Sequence, residues 1–252
     1  MKKIQLTLLQ IDNYGPWTVT PEPRGEAELQ VLQASLFAEL QRQFSSRGGL
    51  VFTTRFDNLI AVTNGVSLES HDSIQKEINQ NFPVTVSMGV GSAISPYQAQ
   101  VQATLSLQRV GSSRSAKRKG ALMGSCVRKP DKDWVQIAHM DINHSTLITD
   151  SEPIYNTHLL FQRAHISLMS SLLKRDALVF YMGGDNLIAL SNGLGGTEIN
   201  AVLSELKAEH GLEMKAGVGA AHTADRAAYL ASEGLHEIRK GGNKSPIVVK
   251  TA

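Results

Sequence analysis

The chain has 252 residues, 25 Lys+Arg against 23 Asp+Glu for a formal charge of +2, 42% hydrophobic residues and one cysteine. This is globular composition, long enough for one large domain or two of ordinary size, and it excludes a disordered chain. Cys126 alone closes no internal disulfide and builds no cysteine cluster for zinc or iron–sulfur, and no stretch approaches the ~18 uncharged apolar residues of a membrane span, so the expected setting is the cytoplasm, away from membranes.

In chain order, residues 3–12 read as a half-buried strand rather than a signal peptide, because the apolar run meets Asp12 and no small-residue cleavage site follows. Residues 26–44 place Leu29, Leu32, Leu36, Phe37 and Leu40 at helical spacing. Strands at 50–54 and 59–63 flank a tight turn, a hairpin signature, and a helix at 70–80, a strand at 84–90 and a helix at 96–109 complete a unit. The same order then recurs: strand 134–141, helix 155–173, strands 178–182 and 187–190, helix 198–210, strand 212–219, helix 224–240 and strand 246–250. This is β-α-β-β-α-β, the ferredoxin-like arrangement, in an α+β chain.

The chain repeats itself in sequence as well. DNLIAVTNG at 57–65 answers DNLIALSNG at 185–193 and VSMGVGSA at 86–93 answers MKAGVGAA at 214–221, both at an offset of 128. LLQIDN at 8–13 answers IAHMDIN at 137–143 at an offset of 129, which sets Asp12 against Asp141. So long a period indicates tandem domains, predicted over 1–111 and 133–252, rather than a solenoid. Between them, 112–132 is rich in Gly, Ser and cations, and the window 109–132 holds eight Lys+Arg against one Asp. It reads as a solvated basic linker, and without interleaved aromatics or a recognised module a nucleic-acid partner is not expected.

In this fold the first strand and the hairpin turn lie side by side, so Asp12 can converge with Asp57, and Asp141 with Asp185. Two carboxylates near one point with few fixed lysines suit Mg²⁺, which takes one or two carboxylates and completes its octahedron with phosphate oxygens and water. A single Asp of this kind is commonly a turn or capping residue. Their repetition, each followed within two residues by Asn, favours metal ligands for at least one pair; which pair works is left open. Gly183 and Gly184 clear space where a base or ribose would approach, with Asn186 beyond them, whereas the first hairpin carries Phe56 and Asn58. The loops NYGPW and NHSTL, with Asn13, Tyr14, Gly15 and Asn143, offer backbone N–H groups to phosphates, and His144 stands beside Asn143. His139, two residues before Asp141 and on the same strand face, is a candidate general base, although a hydrogen-bonded sheet histidine is commoner.

GGDN between two strands resembles the GGDEF hairpin of diguanylate cyclases and the palm domains of nucleotidyl cyclases and polymerases, in which the first-strand Asp and the hairpin acid hold two metals. The fuller match is narrower. IDNYGPWTVTPEPR from Ile11, TRFDNLIAVTNG from Thr54, VQIAHMDIN from Val135, GGDN from Gly183 and KAGVG from Lys215 resemble the archaeal-type GTP cyclohydrolase III family over both domains, least in the basic stretch. The resemblance implies GTP as substrate and Mg²⁺, as two ions, as cofactor. It implies opening of the guanine imidazole ring with the formyl group retained, and hydrolysis of the triphosphate. The product is then 2-amino-5-formylamino-6-ribosylamino-4(3H)-pyrimidinone 5′-phosphate, an entry to riboflavin and deazaflavin biosynthesis. Stimulation by a monovalent cation such as K⁺ and a homo-oligomer are implied in the same way. One cysteine cannot build the zinc site of other GTP cyclohydrolases, so hard metals are required. Asn186 stands where GGDEF has a further acid, and no Arg-x-x-Asp motif precedes Gly183 at the expected spacing. A nucleotidyl or diguanylate cyclase is therefore an alternative, as is a non-catalytic GTP-binding sensor.

Overall fold

The strand β1 (Ile4–Ile11) buries Ile4, Leu6, Leu9 and Ile11 at 2% exposure or less, as does β6 (Val135–Ile142) its Ile137, Met140 and Ile142. Strands apolar on both faces belong at the centre of a sheet covered on both sides, and each is the middle strand of a five-stranded sheet. The computed structural model describes residues 2–126, 133–241 and 245–252. The chain divides into two compact units, Met1–Ile94 with Gln98–Asp133 and Ser95–Tyr97 with Trp134–Ala252.

In the first unit β1 is followed by α1 (Tyr14–Val19), α2 (Glu26–Ser45), β2 (Leu50–Arg55), β3 (Asn58–Val62), α3 (Leu68–Asn81), β4 (Val86–Ala93), α4 (Pro96–Gln108) and β5 (Leu122–Gly124). In the second, β6 is followed by α5 (Ser145–Ser151), α6 (Ile154–Leu173), β7 (Leu178–Gly183), β8 (Asn186–Leu190), α7 (Gly196–His210), β9 (Met214–Ala221), α8 (Ala224–Arg239) and β10 (Ile247–Thr251). The sheets run β2-β3-β1-β4-β5 and β10-β9-β6-β8-β7. All neighbours are antiparallel except β4–β5 and β10–β9, so both sheets are mixed and the class is α+β.

Matched polar contacts tie the two sheets to one plan. The buried Gln5 donates from Nε2 to the carbonyls of Thr63 at 2.7 Å and Val66 at 3.0 Å. Gln136 does the same to Ser191 at 2.9 Å and Leu194 at 2.8 Å. The long helices bury one stripe at helical spacing, Leu36, Leu40 and Phe44 on α2 and Phe161, Ala164, Leu168 and Leu172 on α6. On the other face α4 and α8 lie so close that only glycine fits beneath them. A Cβ on Gly91 would stand 2.4 Å from Ala103 N, and one on Gly219 2.0 Å from Ala227 O.

Two expectations are corrected. The stretch read as a solvated linker is, over its described residues, part of the first unit. β5 pairs in parallel with β4, Met88 N–H donates to Ala121 O at 2.7 Å, and Arg118 is only 5% exposed. Composition marked this segment as exposed, but one guanidinium and a short strand carry it into the fold. Arg128, Lys129 and Lys132 lie outside the described residues. Cys126 donates to Val66 O at 3.3 Å, and burial pushes its thiol up to about 11, so it is no reactive thiolate. The loops after the first strands are short helices, α1 and α5, each entered through a left-handed residue, Asn13 at φ 53 and His144 at φ 59. Among the described residues no helix is long and apolar enough to cross a membrane.

Candidate active site

Sheet register decides which residues stand at equivalent places. In the second unit Asp141 pairs with Asn186 on one side and Lys215 on the other, so Asn186, Asp141 and Lys215 form one row across the sheet. In the first unit the corresponding row is Asn58, Gln10 and Ser87. Two residues on, Asp12 donates its N–H to Thr85 O and Asn143 donates its own to Glu213 O, both at 2.8 Å, and the left-handed Asn13 and His144 follow. Asp141 therefore corresponds to Gln10, and Asp12 to Asn143. The alignment that set Asp12 against Asp141 is two residues out of step with the fold, and the two copies do not keep both acids at matching places.

In the first unit Asp12 is fully engaged. Its Oδ1 accepts from Arg118 Nε at 2.9 Å and Ser87 Oγ at 2.7 Å, and its Oδ2 from Thr85 Oγ1 at 2.9 Å and Gly120 N at 2.8 Å. A carboxylate has about four lone-pair sites, and all are taken by protein donors. The Asp12 and Arg118 side chains are 2% and 3% exposed, a buried ion pair. Asp57 pairs instead with Arg55 at 2.8 Å on the surface, and Phe56 is 55% exposed. With Asp12 held by Arg118 and Asp57 by Arg55, the first unit as placed offers a magnesium ion no free carboxylate pair.

Several neighbours of Asp12 are engaged within the first unit. Asn13 shapes the turn, the Tyr14 ring stacks with Trp17, and the Tyr14 hydroxyl accepts from Gln33 Nε2 at 2.7 Å. Gly15 lies inside α1, its carbonyl accepting from Thr18. Asn58 Oδ1 accepts from Gln10 Nε2 at 2.7 Å, while its Nδ2 is buried without a partner.

The second unit brings its acids together. Asp141, 5% exposed at the side chain, is near enough to Asp185 for that carboxyl to act on its ionisation. Its Oδ2 meets Lys215 Nζ at 2.8 Å and Arg239 Nη2 at 2.9 Å, and Lys215 also donates to Asn143 Oδ1 at 3.0 Å. Burial by itself would raise the Asp141 carboxyl; hydrogen bonds from Lys215 and Arg239, with Asp185 and the Lys215 charge behind them, outweigh it and hold the group below the usual carboxylate range. Asp185 is fixed from two sides, accepting from Ser145 Oγ and, at 3.0 Å, from Asn186 Nδ2. The turn before it is open: Gly183 at φ 103 and Gly184 at φ 59 adopt conformations glycine tolerates, and a Cβ on either would meet nothing within 4 Å.

His139 belongs to this network through Asn186. Its Nε2 contacts Asn186 Oδ1 at 3.2 Å and its Nδ1 contacts Ser232 Oγ at 3.2 Å. Asn186 Oδ1 can only accept, so Nε2 carries the hydrogen and Nδ1 accepts from the Ser232 hydroxyl. Burial holds the ring below the usual histidine range despite Asn186. His139 is thus a doubly bonded sheet histidine that orients Asn186.

Two acids, two cations and an open glycine turn suit a polyphosphate brought in with a hard cation. Mg²⁺ needs only one or two carboxylates when phosphate oxygens supply other ligands, so Asp141 and Asp185 fit it. Among the described residues no cluster of three or more His, Cys, Asp or Glu is placed to hold a metal by itself. Sequence reasoning missed Lys215 and Arg239, having expected few fixed cations. Lys215 was visible beside GVG, but only the register of β9 with β6 aims it at Asp141, and Arg239 arrives from the far end of α8.

The family model for GTP cyclohydrolase III matches residues 4–252. Relatives named GTP cyclohydrolase III are 50% identical over 95% of this chain and 95% of theirs in Methanobrevibacter smithii, and 51% over 94% and 95% in Methanothermobacter thermautotrophicus. The one from Methanocaldococcus jannaschii is 47% identical over 94% of this chain and 88% of its own. Among solved structures, the GGEEF domain of a diguanylate cyclase from Vibrio cholerae covers 47% of this chain and 83% of its own at 12% identity and a TM-score of 0.38. By its match from the first strand to the last, and by relatives of near-equal length at about half identity, the chain belongs to the GTP cyclohydrolase III family.

Proposed function

We propose that the chain is a GTP cyclohydrolase working at Asp141 and Asp185. It would open the guanine imidazole ring of GTP by hydrolysis with the formyl group retained, hydrolyse the triphosphate, and release 2-amino-5-formylamino-6-ribosylamino-4(3H)-pyrimidinone 5′-phosphate and phosphate. The observation that carries this is the row Asn186–Asp141–Lys215 beside the open Gly183–Gly184 turn, in a chain of this family. Asp141 and Asp185 would hold Mg²⁺, which would neutralise phosphate charge and lower the pKa of bound water. Lys215 and Arg239 would take phosphate oxygens, Arg239 through its planar fork. Ser145 and Asn186 fix Asp185, and His139 fixes Asn186 in turn. The glycine turn leaves room for the nucleoside, and a monovalent cation such as K⁺ would act as an activator.

The two units are read as tandem ferredoxin-like, palm-type domains, supported by the matched Gln5 and Gln136 contacts and the common strand order. Only the second keeps a metal-competent pair. A cytoplasmic enzyme of riboflavin or deazaflavin biosynthesis follows from the same reading. A homo-oligomer finds support on α6, where Tyr155, Leu159, Ile166, Met169 and Leu173 are 45–79% exposed. In an antiparallel pair of α6 helices Tyr155 would face Leu173 and Leu159 would face Met169, so the stripe complements a second copy of itself. Incubation with GTP and Mg²⁺ followed by mass analysis tests the reaction. The formylamino product with orthophosphate is expected; unchanged GTP, or a cyclic product with pyrophosphate, overturns it.

A further inference from the structure

Lys215 and Arg239 do more than wait for phosphate. Both cations sit on one oxygen, Oδ2 of Asp141, at 2.8 and 2.9 Å, while the contacts that fix Asp185 come from the neutral groups of Ser145 and Asn186. Two carboxylates and two cations cancel, so a free divalent ion meets a site with no net charge and must compete with two internal cations for its ligand oxygen. A nucleoside triphosphate removes that competition. It carries about four negative charges, accepts readily from an ammonium and a guanidinium, and brings oxygens of its own to the metal.

Resting on the proposed function, we infer that Lys215 and Arg239 are internal counter-ions of Asp141 that make divalent-metal binding conditional on the nucleotide. Without nucleotide they neutralise Asp141. With it they pass to the phosphates, and Oδ2 is released to the metal that the phosphates bring.

The side chains are placed for such an exchange. Arg239 is 46% exposed and reaches in from the last residue of α8, so its head can swing without disturbing the helix. Lys215 is 16% exposed and keeps a second partner, Asn143 Oδ1 at 3.0 Å, when it leaves Asp141. The first unit lacks the device. Gln10 and Ser87 stand where Asp141 and Lys215 stand in the second, and the Asp12–Arg118 pair, 2% and 3% exposed, is closed off from any exchange with solvent.

The test measures Mn²⁺ binding to the full chain by the loss of the free-ion paramagnetic resonance signal, with and without a GTP analogue whose β,γ-bridge cannot be hydrolysed. In the wild type the analogue should tighten Mn²⁺ binding at least about tenfold beyond its own affinity for the ion. Arg239→Gln and Lys215→Met, each checked for fold by circular dichroism, should each tighten nucleotide-free binding by about tenfold, as expected for a charge removed next to a ligand. Asp185→Asn should abolish that gain. Nucleotide-free binding in the wild type as tight as in the presence of the analogue overturns the inference. So does a failure of both charge-removing variants to gain affinity. If Lys215→Met does not fold because the buried Asp141 loses that partner, Arg239→Gln alone, which keeps Lys215 in place, decides the matter. Failure of the wild type to turn over GTP with Mg²⁺ sinks the proposed reaction, whereas the nucleotide-free comparison still decides the counter-ions.

Discussion

Asp12→Asn separates an architectural role from a metal-binding one. The wild-type carboxylate accepts four hydrogen bonds, from Arg118, Ser87, Thr85 and Gly120, and its side chain is 2% exposed. An amide keeps one acceptor oxygen and turns an NH₂ toward two of those donors, leaving Arg118 buried with Gln10 Oε1 at 2.7 Å and Gly111 O at 3.3 Å. Removing one partner of a buried ion pair costs about 3–5 kcal/mol. With a urea slope of about 2 kcal/mol/M, the lower figure moves the first unit's unfolding midpoint down by about 1.5 M. Arg118→Met should cost a similar amount, and the double variant less than the two together, by more than ~1 kcal/mol, because the second substitution removes a group already stranded. Urea titration gives the stabilities, and Mn²⁺ binding with the GTP analogue gives the metal site, which should be unchanged. Stability within about 0.5 kcal/mol of wild type together with lost metal binding would refute the reasoning and restore Asp12 as a ligand.

Gly219→Val should destabilise the second unit by at least about 3 kcal/mol in denaturant titration, because the new Cβ lies 2.0 Å from Ala227 O and 2.4 Å from Ala231 N and α8 must lift off β9; an unchanged midpoint would contradict that packing. Burial holds His71, His139 and His165 below the usual histidine range. The unfolded chain then takes up protons first as pH falls through about 6.5, so stability is full above that value and declines below it. His71 is fully buried, its Nδ1 contacting Ser67 O at 2.7 Å and its Nε2 contacting Thr7 Oγ1 at 2.8 Å. His71→Gln should flatten that slope, and a slope of the same size in the variant would remove His71 as a cause. Ile166→Asp, a charge in the middle of the exposed α6 stripe, should shift the chain to a smaller species in sedimentation while leaving the monomer fold intact; an unchanged sedimentation coefficient would dismiss α6 as the interface.

The order of strands and long helices was legible because it rests on local pattern: Leu36, Leu40 and Phe44 recur at helical spacing, and Gly183–Gly184 announces a turn. The place of the basic segment was not. Eight cations among Gly and Ser look like a solvated connection, and nothing near Arg118 says that its guanidinium will meet Asp12, which lies 106 residues earlier. Short helices of six and seven residues, α1 and α5, begin at left-handed Asn13 and His144, and residues that tolerate that conformation also make ordinary turns.

The mispairing of Asp12 with Asp141 has a specific cause. A strand repeats every two residues, so sliding one copy against the other by two keeps every side chain on its original face and leaves the apolar pattern in agreement. Periodicity cannot detect such a slip, and the two aspartates, each followed by Asn within two residues, reward the wrong choice. What fixes the register lies at the ends of the strand. Gln5 and Gln136 make the same bonds to the chain after β3 and β8, and Asn13 and His144 make the same left-handed turn. With those ends aligned, Gln10 falls on Asp141 and Ser87 on Lys215. The first copy thus lacks the acid beside its hairpin and the cation opposite it, and its own Asp12, two residues further on, meets Thr85, Ser87 and Arg118. A displacement of two residues along one strand is what separates a carboxylate held by Lys215 and Arg239 in one unit from a buried ion pair with Arg118 in the other.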